Sequence, residues 1–394
     1  MKAVILAAGK STRTHPLTVS KPKSLLKIAN KTIIEHILSQ LHGIVSEAVI
    51  VIGHEGKQIS DYLGSTYGGI RLTFVQQKKQ YGTGDALLAV EKIISGKFIV
   101  LMGDDLYNNE DIKKCVKHDY CILVKEVKDV SSFGDVMIKE GYLHDMVEKP
   151  EKSVPGHANT GFYVLDDKIF SVTKKLKKSS RGEYEITDAI KTFAKKEKVV
   201  VEEAGFWLPT TYPWSLLYAN ERLLDEISGD VYATVEKGVT IKGKVVVGRN
   251  TLLRAGTYIE GPVVIGEHCD IGPNCYIRPF TSIGNNCRVG NSVEVKNSIV
   301  MDNTQIGHLS YLGDSVIGEN VNLAAGFIVA NLRHDEKKID SIVKGKLISS
   351  GRRKFGTVIA DNVKTGIRTS IYPGRKIWPG KTTLPGEIVK KDVI

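Results

Sequence analysis

Aliphatic residues recur at every sixth position from Val235 to Met301: Val235, Ile241, Val247, Leu253, Ile259, Ile265, Ile271, Ile277, Ile283, Val289, Val295 and Met301. A period of six fits neither a helix nor a strand that alternates between core and water. It is the mark of a parallel β-helix, in which each hexad forms one side of a triangular coil, points its aliphatic residue inward, and three hexads close a turn of about 18 residues. The position four later is small or modestly apolar, as in Val245, Thr251, Thr257, Cys269, Cys275 and Cys287, which suits tight corners. Spacing shortens to five at Ile306 and again at Ile317, on either side of His308-Leu-Ser-Tyr-Leu-Gly-Asp314. Regular rungs return at Leu323 and Val329, stop for a basic segment over 331–355, and restart at Ile359, Thr365, Ile371 and Ile377.

The first half reads differently. Short apolar runs at Lys2–Leu6, Glu47–Ile52, Leu72–Gln76, Phe98–Met102 and Tyr120–Val127 predict strands, and Thr32–Leu41, Asp85–Ile94 and Glu185–Lys195 predict helices. Strands alternating with helices imply an α/β fold with a mostly parallel, doubly wound, Rossmann-like sheet. Ligands of such sheets bind beyond the carboxyl ends of the strands, which directs attention to the loops after Leu6, Gln76 and Met102. Trp214–Ile227 reads as a closing helix ended by Ser228-Gly-Asp230, so the expected domains are 1–230 and 231–394.

Composition narrows the partners. A hydrophobic share of 42% and a charged share of 25% are those of a soluble globular protein. The apolar start Val4–Ala8 is too short for a signal-peptide core and runs into Gly9-Lys10, so a cytoplasmic location with no membrane association is expected. The net charge of +11 favours anionic partners such as nucleotides, sugar phosphates or coenzyme A. No basic tail or aromatic-interleaved basic motif supports nucleic-acid binding. Cys269, Cys275 and Cys287 take their spacing from the hexads, not from a zinc motif, and are expected to be reduced packing residues.

Two constellations carry candidate chemistry. Leu6-Ala-Ala-Gly-Lys-Ser-Thr-Arg13 follows the first strand, but Val4 stands where a Walker motif requires its first glycine. A glycine-bearing turn there either wraps backbone N–H groups around phosphates, with Arg13 and Lys23 neutralising them, or is only a tight turn with solvated cations. In the second half, Arg278 and Lys296 lie 18 residues apart and should stack on adjacent coils, about 4.8 Å apart. Two such cations repel unless an anion lies between or beside them, which makes them a candidate phosphate clamp.

Leu6–Arg13 with Pro22-Lys23 resembles the signature of the sugar-1-phosphate nucleotidylyltransferases. Further landmarks follow in order: Gln77 with Tyr81-Gly-Thr-Gly-Asp85, Gly103-Asp104, Phe133-Gly134, Val147-Glu-Lys-Pro150, Asn159-Thr-Gly161 and Gly182-Glu-Tyr-Glu-Ile-Thr-Asp188. The resemblance implies in-line attack of a sugar-phosphate oxygen on the α-phosphate of a nucleoside triphosphate, UTP or dTTP, with release of pyrophosphate. Gly9 and Arg13 would then hold the triphosphate and Lys23 the reacting phosphates. Gln77, Gly82 and Thr83 would meet the base, Gly134, Glu148 and Asn159 the sugar, and Asp104 a Mg²⁺ ion. Two departures stand out: Ser11 replaces the second glycine, and Pro209 occupies the place of the usual second metal ligand, leaving Asp105 or water to compensate.

The second half resembles the acetyltransferase domain of the bacterial bifunctional glucosamine-1-phosphate acetyltransferases and N-acetylglucosamine-1-phosphate uridylyltransferases. The resemblance rests on Arg278-Pro279, Glu294-Val-Lys296, Gly307–Asp314 and Asn320–Gly326. It implies a left-handed β-helix of hexapeptide repeats and a homotrimer whose acetyl-transfer sites lie between coils of neighbouring subunits. It implies His308 as general base on the sugar amine, a task that suits an imidazole titrating near neutrality. Arg278, Lys296, Tyr311 and Lys337 would bind the sugar phosphate, Asn322 and Asn331 the sugar, and main chain near Ala325 acetyl-coenzyme A. Leu332 stands where those enzymes have Tyr, so sugar preference is expected to differ. Two other readings are a nucleotidylyltransferase whose coil only assembles or regulates it, and a non-catalytic sensor or scaffold that binds sugar nucleotide.

Overall fold

A computed structural model describes every residue except Lys152. The chain divides into two compact units, one formed by Met1–Lys10, Pro22–Leu25 and Ile33–Pro209, the other by Ser11–Lys21, Leu26–Thr32 and Thr210–Ile394.

The first unit is Rossmann-like and built on a ten-stranded sheet. Its parallel centre runs Phe98–Met102, Lys2–Ala7, Glu47–Ile52 and Ile70–Gln76, in register from Lys2 opposite Glu47 and Phe98. These strands are apolar runs because helices cover them, and Val4, Val49, Val51, Val100 and Phe98 are buried in one core. The helix expected from Asp85 to Ile94 is shorter, Thr83–Leu88. The sheet is also less parallel than expected. Gly156–Leu165 pairs antiparallel with both Phe98–Met102 and Cys121–Val127, and Gly134–Lys139 pairs antiparallel with Tyr142–Glu148. Met137, Ile138, Tyr142 and Val147 remain exposed there, so this half of the sheet lacks the full covering that parallel strands require.

In the second unit the chain visits three parallel sheets in rotation. The first sheet runs from Thr234–Val235 to Asn322–Leu323, the second from Thr240–Lys242 to Ile388–Val389, and the third from Val245–Val247 to Arg375–Ile377. Leu253 pairs with Ile271, Ile259 with Ile277 and Ile265 with Ile283, a register of 18 residues. The inward aliphatic residues from Val247 onward form one core, and burying each such side chain stabilises by about 1.5–3 kcal/mol. Cys269, Cys275 and Cys287 are unpaired members of that core, and burial pushes the Cys275 thiol up to about 11, away from reactivity.

One rung differs from the expected ladder. Ile283 pairs with Val300, which pairs with Ile317, so Val300 and not Met301 holds the inward position. The shortened steps therefore run from Val295 to Val300 and from Leu312 to Ile317. Both cut the corner between the second and third sheets, where Asn297 and Asp314 take left-handed conformations, φ 43° and 50°. The inserted segment over 331–355 leaves from this same corner on the next turn and carries an antiparallel hairpin, Asp340–Val343 with Lys346–Ser349.

The N-terminal segments of this unit are moored by buried polar groups. Lys27 pairs with Asp302 at 2.6 Å, and Lys21 with Glu319 at 2.6 Å and Asp361 at 3.3 Å. Asn220 on the closing helix, Pro213–Leu224, accepts from the Ala29 N–H and donates to the Phe280 carbonyl. Lys376 is almost fully buried, and its Nζ donates to the carbonyls of Ile342 at 2.7 Å and His15 at 3.1 Å. Burial pushes its ammonium down to about 8, against the pull of Asp392 and with a small push from Arg375. The unfolded chain keeps that proton to about pH 10.4, so above about pH 8 it binds more protons than the folded chain, and stability rises with pH through this window. Thermal unfolding between pH 7 and 10 is expected to show the native protein gaining on Lys376→Met as pH rises. A pH-independent difference would show that the ammonium is solvated.

Candidate active sites

In the first unit, Gly9 and Asp104 both follow carboxyl ends of the parallel strands, whose register sets Leu6 opposite Met102. The Gly103 N–H donates to the Leu6 carbonyl at 2.9 Å, and a Cβ at Gly103 would lie 2.7 Å from that of Ala7, so only glycine lets the two loops approach. Lys23 is buried, with its Nζ 2.8 Å from Asp104 Oδ2. Gln77 is buried too, its amide donating to Asp85 at 2.7 Å and to the Gly82 carbonyl at 3.2 Å. Gly82, at φ 107°, and Thr83 are clamped against Tyr184–Ile186: the Gly84 N–H donates to the Tyr184 carbonyl, and Thr83 Oγ1 accepts from the Ile186 N–H at 3.0 Å.

Gly134, Glu148 and Asn159 converge. Gly134 pairs with Glu148 across the ladder, and a Cβ at Gly134 would stand 3.2 Å from Glu148 Oε2 and 3.3 Å from the Asn159 Cβ. Burial raises the Glu148 carboxyl above its usual range, with Lys149 and Arg181 opposing. Arg181 lies 2.6 Å from Glu185 and 3.5 Å from Glu148, and so bridges the two carboxylates. Sequence reasoning missed it, although it immediately precedes the Gly182–Asp188 landmark.

Arg13 belongs to the second unit, where its guanidinium lies 6.0 Å from the Tyr212 ring centroid. Ser11 adopts φ 50°, the left-handed conformation that glycine takes most easily, and its carbonyl accepts from the Thr14 N–H and Thr18 Oγ1 at 2.9 Å each.

The second half's candidate residues fall into two groups. His308 and Asn322 line a cavity of about 610 Å³ beside the first sheet, together with Arg254, Asp270, Arg288 and Gln305. Leu309, next to His308, is 64% exposed and holds φ 58° at a corner occupied on neighbouring turns by Gly256, Asn274, Ser292 and Gly326. A branched side chain in that conformation is strained, and such strain gathers at functional sites.

Arg278, Lys296, Tyr311 and Asn331 do not line this cavity. They cluster on the second sheet, with Arg278 one rung from Lys296 as expected. The anions beside these cations are the protein's own: Arg278 pairs with Glu294 at 2.7 Å and Lys296 with Asp314 at 3.1 Å. Asp314 is buried and also accepts from Asn297 at 2.9 Å and from Asn331, which donates further to Tyr311 Oη at 3.1 Å. Repulsion between the cations therefore does not by itself call for a bound phosphate. Lys337 is exposed on the insertion, and the Ala325 carbonyl accepts from the Arg368 N–H at 2.8 Å.

Residues 2–226 match the Nucleotidyl transferase family, and 259–394 match the GMPPB C-terminal domain. The chain is 40% identical, over 98% of its length and 94% of the relative's, to the Bifunctional protein GlmU of Methanocaldococcus jannaschii. It is 39% identical, over its whole length and 98% of the relative's, to the bifunctional sugar-1-phosphate nucleotidylyltransferase/acetyltransferase of Sulfurisphaera tokodaii. The chain belongs to this family of bifunctional nucleotidylyltransferase/acetyltransferases. A UDP-glucose pyrophosphorylase crystallised with UDP-glucose is similar in structure at a TM-score of 0.52 and 25% identity, covering 57% of this chain and 99% of that one.

In this bifunctional enzyme, the first site suits a metal held by one carboxylate. Among the described residues no group of three His, Cys, Asp or Glu side chains is arranged to hold a metal ion. Pro209 stands opposite Asp105 in a short antiparallel ladder, and Asp105 accepts from the Trp207 indole N–H at 3.0 Å. The Asp104 side chain, paired with Lys23, is 41% exposed. Mg²⁺ accepts such a site, taking one or two carboxylates together with substrate phosphates.

The two ion pairs of the second sheet should respond differently to mutation. Asp314→Ala strands Lys296, whose side chain is only 19% exposed, and should cost about 2–4 kcal/mol in chemical denaturation. Glu294→Ala opens a half-exposed pair and should cost less than about 1 kcal/mol. Equal costs would contradict the burial difference.

Proposed function

We propose that the protein transfers the acetyl group of acetyl-coenzyme A to the amine of glucosamine-1-phosphate, and a nucleotidyl group from UTP or dTTP to the resulting sugar-1-phosphate. His308 carries the first half of this reading, because it opens onto a cavity with Asn322 in a chain related end to end to bifunctional enzymes. The neutral amine attacks the thioester carbonyl while His308 takes an amine proton, which then passes to the departing thiolate. Asn322 and Asn331 orient the sugar, Arg278, Lys296, Tyr311 and Lys337 hold its phosphate, and main chain near Ala325 receives the acetyl donor. The three sheets then form one left-handed β-helix acetyltransferase domain over 231–394, following a nucleotidyltransferase domain over 1–230. The two residue groups lie on different sheets, and the homotrimer of this reading brings one group of each copy to the other group of its neighbour.

In nucleotidyl transfer the sugar-phosphate oxygen attacks the α-phosphorus, its bond to the bridging oxygen breaks, and pyrophosphate leaves. Gly9, Arg13 and Lys23 hold and neutralise the phosphates, while Gly134, Glu148 and Asn159 orient the sugar. Asp104 would hold a Mg²⁺ ion, which would add charge neutralisation to that of Arg13 and Lys23. Gln77 spends both amide hydrogens on Asp85 and Gly82, so toward a base beside Gly82 and Thr83 it presents an acceptor. An acceptor there suits the imide N–H of uracil or thymine.

The match to the GMPPB C-terminal domain favours a second reading, in which the repeat domain only assembles or regulates the enzyme. Free-thiol release from acetyl-coenzyme A with glucosamine-1-phosphate separates the two. The bifunctional reading expects release, its loss by at least 10³-fold in His308→Ala, and pyrophosphate formation unchanged in that variant. No thiol release from the native protein would leave the second reading. For the first site, Asp104→Asn should raise the Mg²⁺ concentration needed for half-maximal pyrophosphate release about tenfold or more. An unchanged Mg²⁺ requirement would remove Asp104 as ligand.

A further inference from the structure

The register of the first sheet sets Asp270, Arg288, Gln305 and Asn322 in one column on successive rungs, about 4.8 Å apart. All four line the cavity onto which His308 opens. The charges along this column are unequal. Arg254 closes one end in a two-point pair with Asp270, at 2.6 and 3.0 Å, which neutralises both. Arg288 is exposed one rung from Gln305, and among the described residues no carboxylate pairs with it. Beside it the cavity offers the carboxamides of Asn291, Gln305 and Asn322, which donate to and accept from hydroxyl groups. The floor at Gly290 and Gly307 is bare backbone. A Cβ at Gly290 would lie 3.0 Å from the His308 N atom, and one at Gly307 2.6 Å from the Ala325 N atom, so the coils stack this closely along the cavity only with glycine there.

Arg278 and Lys296, the cations assigned to the substrate phosphate, already face Glu294 and Asp314. Arg288 is thus the uncompensated guanidinium in the cavity that holds His308, and a guanidinium fork suits a phosphate monoester or diester. We infer that Arg288 binds a phosphate group of one of the two acetyl-transfer substrates, the sugar-1-phosphate or coenzyme A. This rests on the acetyltransferase reading of the same cavity.

Arg288 projects from the outer face of a strand without a side-chain partner, so Arg288→Gln should fold with an unchanged melting temperature. In the thiol-release assay this variant is expected to raise KM at least tenfold for one substrate, with kcat within about threefold, and Arg288→Lys should recover part of the loss. A rise for glucosamine-1-phosphate assigns the sugar phosphate, and a rise for acetyl-coenzyme A assigns the coenzyme. Calorimetric titration with glucosamine-1-phosphate, glucosamine and coenzyme A gives a readout independent of turnover. The native protein should prefer the phosphorylated form of the substrate concerned, and Arg288→Gln should lose that preference. Unchanged KM values for both substrates, together with unchanged binding, overturn the inference while leaving His308-dependent thiol release intact. Absence of thiol release from the native protein overturns the acetyltransferase reading instead, and the titrations still decide whether Arg288 holds phosphate.

Discussion

The pairing of each rung with the one 18 residues later is the constraint on which the second half of the molecule depends. Once Ile259 stands over Ile277 and Ile265 over Ile283, every inward residue joins one continuous apolar column. Every outward residue is likewise fixed relative to the rung above and below it. A slip of one residue would turn the aliphatic set outward, so the register is held as strongly as the core itself. Corners are the places where the chain can change length without breaking the ladder. The two shortened steps and the long insertion all use the corner between the second and third sheets, on three successive turns.

That geometry explains why polar chemistry concentrates where it does. Shortening the corner places Asn297 and Asp314 over one another, and the buried Asp314 then collects Lys296, Asn297 and Asn331. A buried carboxylate with three donors is stable only while all remain, which ties the base of the insertion to the ladder. A different corner carries His308, where Leu309 holds the left-handed conformation that Gly256, Asn274, Ser292 and Gly326 hold on neighbouring turns. In the first unit the scaffold is the parallel centre of the sheet, whose register brings the loops bearing Gly9 and Asp104 to neighbouring strand ends.

Much of this was legible from the chain, for physical reasons that also explain the failures. A six-residue period has no competitor, so the repeat could be read rung by rung as far as Val295. It misled at Met301 because Val300 and Met301 are both apolar and both buried, and only pairing tells which faces the shared core. The spacing accordingly puts the first shortened step at Ile306, when it ends at Val300; the second, ending at Ile317, stands where the spacing puts it. The parallel strands were readable as uninterrupted apolar runs. The strands over Gly134–Glu148 were missed because their exposed Met137, Ile138 and Tyr142 break the expected alternation. Stacking of Arg278 on Lys296 followed from the register alone, but their pairing with Glu294 and Asp314 depends on side-chain directions that spacing does not encode. The convergence of Gly134, Glu148 and Asn159 was approachable only through family resemblance, since a mixed sheet joins residues far apart in sequence.

On the proposed reading, the stacked register builds an acetyl-transfer groove at His308. A crystal structure with coenzyme A and N-acetylglucosamine-1-phosphate bound tests it most directly. The coenzyme sulfur and the acetamide nitrogen are expected both within reach of the His308 imidazole, in the cavity walled by Gln305 and Asn322. Coenzyme A bound elsewhere, with His308 facing only solvent, would contradict it.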